Sequence, residues 1–471
     1  MKKEDICFMS AWDMAEKIRT QELTSLEITE AIIERIEKIN PIINAYCTTS
    51  FDLAREMAKK ADNTFKKGEK LGLLYGIPTS IKDLIETKGI RTTFGSKIYE
   101  NHIPEEDNMT VKKLKEAGIV LLGKTNTPED GHKAVTDNLI FGESKNPWKL
   151  DRTCGGSSGG AAAAVASGLG PLALGSDGGG SIRIPSCFCG IYGLKPNFGR
   201  IARKFRHLAF CTMSHYGPIV RYVKDAALML DVMAGSDPID KYSIPQPDVS
   251  FLKALNEKPN RLKIGYSLDL GYVKALDEEV EQTILNAVKK FEQFDWSVEK
   301  SKIKLRKAPA VMATLVTSPF AFDYKPFLKE WRDKISPTLL RLIDAGMNLS
   351  ALEFLKAESQ RQDIEPVVYQ FFKNFDILIT PTTAVPPFEL GKMFPEKIAG
   401  KSVSPVGWMP FAFPFNLTWN PAASIPCGWT NDGLPIGMQI VGRKWDEATV
   451  LQVSKAFEEI APWQDKKPTF S

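Results

Sequence analysis

The stretch DRTCGGSSGGAAAAVASGLGPLALGSDGGGSIRIP, residues 151–185, restricts the fold more than any other part of the chain. Two glycine-rich turns, each carrying serine, flank a small apolar segment that can run as a helix and then as a strand. Glycine and hydroxyls are concentrated this way nowhere else. The first turn, Gly155-Gly156-Ser157-Ser158-Gly159-Gly160, can hold backbone conformations closed to bulkier residues. The second, Gly178-Gly179-Gly180-Ser181, can present consecutive N–H groups to one developing negative charge. Acyl transfer requires that geometry.

The rest of the chain supplies helices and strands to hold these turns. Thr24 with Glu27 reads as a capping box, and Ile28, Ile32, Ile36 and Ile39 then fall on one helical face until Asn40-Pro41 ends it. Residues 1–65 are expected to be a helical arm packed on the body or on a second subunit. Leu73 to Ile81 reads as a turn and short strand delivering Lys82 to the interior; the plain alternative is a surface lysine on an edge strand. Residues 107–126 form an αβ unit, a capped helix followed by Ile119 to Gly123. Ala161 to Ala166 and Leu169 to Leu174 then link the two turns, and Asp177 and Arg183 flank the second, where an ion pair could fix its shape. Farther on, the pattern predicts a helix over 223–234, a strand over 261–266, a helix over 278–291 and a mostly helical cover from about 309 to 375. A strand over 375–381, a hairpin-like pair around 421–442 and a last helix over 447–460 complete the series.

Charge and cysteine usage exclude several classes. The 61 basic and 57 acidic side chains leave a net charge of +4, which gives no reason to expect nucleic acid or an acidic membrane as partner. No apolar run is long enough to span a bilayer, and the start MKKEDICFMSAWDMAEK has no secretory core, so the cytoplasm is the expected compartment. Seven cysteines make a poor disulfide framework, and Cys187-x-Cys189 has no second pair or histidine cluster to build a metal site.

Amide acyl transfer needs a nucleophile, a base that later returns its proton to the leaving nitrogen, and donors for the oxyanion. The four histidines, His102, His132, His207 and His215, lie outside the glycine-rich turns, and there is no G-x-S-x-G elbow. A lysine kept neutral by burial could take the base role instead. Taken alone, the glycines could equally be helix-to-sheet turns with exposed serines. A phosphate-binding loop fits poorly, because GGSSGG lacks the Lys-Ser/Thr ending.

From Gly76-Ile77-Pro78 with Lys82-Asp83, through Gly123-Lys124-Thr125-Asn126, both glycine-rich turns, Gly175-Ser176-Asp177, Gly179-Gly180-Ser181-Ile182-Arg183 and Gly193-Leu194-Lys195-Pro196, to Gly433-Leu434-Pro435 and Gln439, the sequence resembles the amidase signature family in order and spacing. The likeness runs from about residue 10 to 460. It implies an α/β fold: one large, mixed, mostly parallel twisted sheet covered on both faces by many helices, with 66–471 as the catalytic domain. It also implies Ser181 as nucleophile, Ser157 as a bridging serine on a cis peptide and Lys82 as base. The N–H groups of Gly178, Gly179, Gly180 and Ser181 would form the oxyanion hole, with Asp177, Arg183 and Ser158 in support. No metal or organic cofactor is implied. The partner is a small-molecule amide, and because relatives are often homodimers a homodimer is one open oligomeric state.

Two residues depart from the family pattern. Gly178 stands where threonine is common, and Trp419 where many relatives place glycine. Trp419 joins Trp408, Phe411, Phe413 and Phe415 in an aromatic run, from which we expect an acyl pocket lined by Trp408, Phe411, Phe415 and Trp419 and a hydrophobic or aryl amide substrate. The alternatives are the glutamine-hydrolysing subunit of a tRNA-dependent amidotransferase, a hydrolase of cyclic or linear amide oligomers, and a catalytically silent scaffold. The first carries an arginine-rich signature not found in 320–365, where Arg332 and Arg341 occur in other surroundings.

Overall fold

Local sequence rules account for most elements of a computed structural model of the chain, which describes residues 1–68, 72–204, 208 and 210–470. Thr24 caps the helix Ser25–Ile43 through the expected box with Glu27. That helix does not stop at Asn40-Pro41; it runs through Pro41 to Ile43 and closes on Asn44 in the left-handed region. Pro41 falls in the last turn, where its missing N–H costs one hydrogen bond rather than a turn of helix.

Eleven strands form one sheet: β1 Tyr46–Thr49, β2 Pro78–Lys82, β3 Val120–Thr125, β4 Leu172–Asp177, β5 Tyr192–Lys195, β6 His215–Val220, β7 Lys263–Tyr266, β8 Ser297–Lys300, β9 Ile377–Pro381, β10 Ala422–Trp429 and β11 Pro435–Gly442. Their order across the sheet is β1-β3-β2-β4-β6-β5-β10-β11-β9-β7-β8. The expectation of a mostly parallel sheet is corrected here. β2 runs parallel to β3 and β4, and β7 runs parallel to β8 and β9. The other six neighbouring pairs are antiparallel, so the sheet is mixed and mostly antiparallel. The parallel pairs sit toward the two flanks, whereas the middle of the sheet is antiparallel and, apart from the β10–β11 hairpin and the consecutive β5 and β6, is assembled from strands distant in sequence. β10 and β11, joined by the tight turn Thr430–Leu434, can only pair antiparallel.

The first 65 residues are not all helical either. β1 lies among them and pairs with β3, so this part of the chain contributes the edge of the sheet. The Asp225 carboxylate accepts the N–H groups of Ala11 and Trp12 at 2.9 and 3.0 Å, tying the helix Ala11–Arg19 to the body. One apolar core joins the N-terminal helices, the sheet and the last helix Glu447–Ile460. A second lies under the helices Ala308–Tyr324, Pro337–Met347, Ala351–Gln362 and Glu365–Asn374. Among the described residues no helix is long and apolar enough to cross a membrane, and all seven cysteines are free thiols.

Candidate active site

β2 is buried along its whole length and ends on Lys82. The Lys82 Nζ lies 2.6 Å from Ser157 Oγ and 3.0 Å from Ser176 Oγ. Burial drives the pKa of this amine well below its ordinary 10.5, opposed by the negative charge of Asp177. Lys82 is therefore an interior lysine, not a surface one.

Ser157 follows a cis Gly156–Ser157 peptide and leads into the helix Gly159–Ala166, which is buried at every residue. The alanines give that helix high propensity without bulk, so it fits inside the fold. Ser158 joins the two turns. Its N–H donates to the Ser181 carbonyl at 3.1 Å, and its hydroxyl donates to the Ser176 carbonyl at 3.1 Å. Beside Ser157, Gly131 (φ +67°) leaves room at the hydroxyl: a Cβ there would lie 3.1 Å from Ser157 Oγ and 2.8 Å from Leu84 Cδ1.

The second turn is folded around Asp177. Its carboxylate accepts the N–H groups of Gly180 (2.7 Å) and Ile182 (3.1 Å), the Arg183 Nε and Nη2 (both 2.9 Å) and the Asn416 amide (2.9 Å). Burial alone would raise its pKa, but Arg183, Asn416 and Lys195 hold it well below the carboxylate range. Arg183, itself fully buried, also donates to Ala412 O, Gln439 Oε1 and Asn416 Oδ1 at 2.6 to 2.7 Å. The expected Asp177–Arg183 pair is thus the centre of a larger network. One consequence alters the expected oxyanion set: the Gly180 N–H is engaged by Asp177. Among the described residues, no acceptor meets the N–H groups of Gly178, Gly179 and Ser181.

Ser181 lies where two arms of a cleft meet. One arm, the more polar of the two, is lined by Ser157, Asn108, Ser214 and Tyr216 together with Leu84, Phe94 and Phe320. The other is apolar, lined by Ile184, Met312, Ala313, Val316, Met409 and Phe413. Gly131, Ser181 and Phe210 belong to both.

The structure does not bring the four expected pocket aromatics to this cleft. Trp408, Phe411 and Phe415 are buried in the second core, Trp408 stacked on Phe188 at 5.6 Å. Trp419, at φ +63°, stacks on Phe198 at 4.6 Å and donates its indole N–H to Thr212 O at 2.7 Å. Of that aromatic run only Phe413 lines an arm. Of the described histidines only His132 borders the cleft, and both of its ring nitrogens are engaged. His132 contacts Glu129 O and Thr338 Oγ1, both at 2.7 Å, and burial and Lys133 push its pKa down to about 3. His215 contacts Asp177 O at 3.2 Å, His102 stacks on Phe94, and His207 lies outside the described residues.

Sequence reasoning assigned no role to Ser176, Asn416, Gln439 or Phe210. Ser176 was signalled by its place inside Gly175-Ser176-Asp177. Asn416 and Gln439 act through contacts 239 and 256 residues away along the chain, for which no local pattern exists. Among the described residues no group of three or more His, Cys, Asp or Glu could hold a metal ion.

A family model described as Amidase matches residues 27–451. An acylamidase of Rhodococcus erythropolis is 38% identical over 100% of this chain and 99% of its own. A glutamyl-tRNA(Gln) amidotransferase subunit of Carboxydothermus hydrogenoformans is 37% identical over 98% of this chain and 99% of its own. Among solved structures, a bacterial aryl acylamidase of the amidase signature family superposes with a TM-score of 0.91 at 31% identity, covering 97% of each chain. A 6-aminohexanoate cyclic dimer hydrolase in complex with substrate gives 0.91 at 29%, covering 98% of this chain and 99% of the other. The agreement extends over whole chains and coincides with a buried lysine meeting two hydroxyls below a glycine-rich turn: the chain belongs to the amidase signature family and is an amide-hydrolysing enzyme.

Proposed function

We propose that Ser181 is the nucleophile, Ser157 the proton bridge and Lys82 the base of an amidase for substrates with an apolar acyl group. The observation that carries this reading is the buried Lys82 amine 2.6 Å from Ser157 Oγ, its pKa drawn down by burial, in a cleft that Ser157 and Ser181 both line. As the Ser181 oxygen bonds to the amide carbon, its proton passes to Ser157 and the Ser157 proton to Lys82, while the carbonyl π electrons move onto oxygen. The N–H groups of Gly178, Gly179 and Ser181 receive that oxyanion, each such donor contributing about 3 kcal/mol to the transition state. When the tetrahedral species collapses, the C–N bond breaks and the proton returns through Ser157 to the departing nitrogen. Water then repeats the sequence on the acyl-enzyme and releases the carboxylate.

The apolar arm supports the acyl preference. Each methylene of substrate buried there contributes about 0.8 kcal/mol, or roughly fourfold in kcat/KM. A series from acetamide through butanamide to hexanamide and benzamide, with glutamine alongside, tests this. The expected result is kcat/KM rising with acyl size, with glutamine a poor substrate. Glutamine or acetamide matching hexanamide would overturn the apolar preference, and a glutamine preference would favour the amidotransferase-subunit reading.

A further inference from the structure

Between the two arms of the cleft stands one ring. Phe210 lines both, and its seat depends on the missing side chain at 178: a Cβ on Gly178 would lie 2.7 Å from Phe210 Cδ1 and 2.9 Å from Cγ. Any side chain at 178, the threonine common in the family included, would displace the ring. Several contacts hold it in place. Phe210 meets Phe320 of the helix Ala308–Tyr324 edge-on at 5.6 Å. Its carbonyl accepts the N–H groups of Met213 and Ser214 at 2.9 and 2.7 Å. Two residues on, the Thr212 carbonyl accepts the Trp419 indole N–H at 2.7 Å and Arg361 Nη2 at 3.0 Å. Phe210 itself sits at φ +58°, a conformation that costs a non-glycine residue on the order of 1 kcal/mol and persists only where surrounding contacts enforce it. Both departures from the family pattern, Gly178 and Trp419, therefore converge on this one ring.

We propose that Phe210 is the specificity-determining partition of the cleft, and that the enzyme prefers amides joining an apolar acyl group to a hydrogen-bonding amine. This rests on the Ser157 relay described above. Ser157 returns the proton to the leaving nitrogen, and Ser157 lines the polar arm but not the apolar one. The amine therefore departs into the polar arm, beside Asn108, Ser214 and Tyr216, and the acyl group fills the apolar arm. With the ring in place, an apolar amine meets only Leu84, Phe94 and Phe320 among the described apolar side chains of its arm, and it desolvates Asn108, Ser214 and Tyr216 without replacing their hydrogen bonds.

The test compares kcat/KM for N-hexanoylethanolamine, N-hexylhexanamide and hexanamide. The wild type is expected to favour the ethanolamide over the hexylamide by at least tenfold. Phe210→Ala should cut that ratio at least fivefold while still turning over hexanamide. Trp419→Phe, which removes the indole N–H from Thr212, should move it the same way by less. N-hexylglycolamide, with the polarity reversed, should be slower than the ethanolamide. A wild type without preference, a reversed preference, or a ratio unchanged within twofold in both variants overturns the partition. If Phe210→Ala is inactive, Phe210→Leu replaces it, and equal loss on all substrates in Phe210→Leu marks a structural ring and also overturns the proposal. Failure of the wild type on hexanamide itself, with no acyl group found on Ser181, overturns the relay and this inference with it. Turnover of hexanamide without selectivity overturns the partition alone.

Discussion

Burial among hydroxyls penalises a charged amine, and it draws the pKa of Lys82 down from its ordinary value. In the folded chain its pKa lies well below 10.5, whereas the unfolded chain keeps the proton up to about 10.5. The unfolded state thus binds more protons between those two values, and the contribution of this position to stability rises with pH across that window. Lys82→Met should lose two to four orders of magnitude in kcat/KM, the usual span for a general base. The same variant should gain stability over the wild type at pH 7, by an amount that shrinks as pH approaches 10.5. Urea unfolding at pH 7 and pH 10 measures this. A stability difference that does not change with pH would mean that Lys82 is charged in the fold. At this scale the sequence was informative, because Lys82, Ser157 and Ser181 each sit in a motif short enough to read. The aromatics were not readable: whether Trp408 or Phe413 faces the cleft depends on which element packs behind it, and periodicity does not carry that.

The turn over residues 177–183 holds its shape through a buried charge network rather than through glycine alone. Arg183 ties Asp177 to Ala412, Asn416 and Gln439, which come from distant parts of the chain. Arg183→Met leaves the Asp177 carboxylate buried without its cation and should cost about 3–5 kcal/mol of unfolding free energy, read by urea titration. A loss below about 1 kcal/mol would show that packing, not the ion pair, sets the turn. The sheet teaches a related lesson. The αβ unit at 107–126 was legible and does yield a parallel pair, β2 with β3. Strand direction in the middle of the sheet is decided by which strand returns beside which, and β6 beside β4 is a long-range choice with no local signature.

The molecule as a whole brings three separated regions to one cleft: β2 with its lysine, the two glycine-rich turns, and the helices Ala308–Tyr324 and Pro337–Met347. Those helices are fastened to the loop that lines the site. Tyr324 donates to Asp130, the Ser336 N–H donates to Glu129 at 2.8 Å, and Thr338 meets His132 at 2.7 Å. Because burial holds the His132 pKa near 3, that last contact keeps one protonation state across the neutral range. In the proposed reaction this assembly passes an acyl group through Ser181. Intact-protein mass spectrometry on samples quenched during turnover of hexanamide, followed by peptide mapping, tests it most directly. The expected result is a hexanoyl adduct on the peptide containing Ser181, absent in Ser181→Ala. Turnover with no adduct, or an adduct on a different residue, would contradict it.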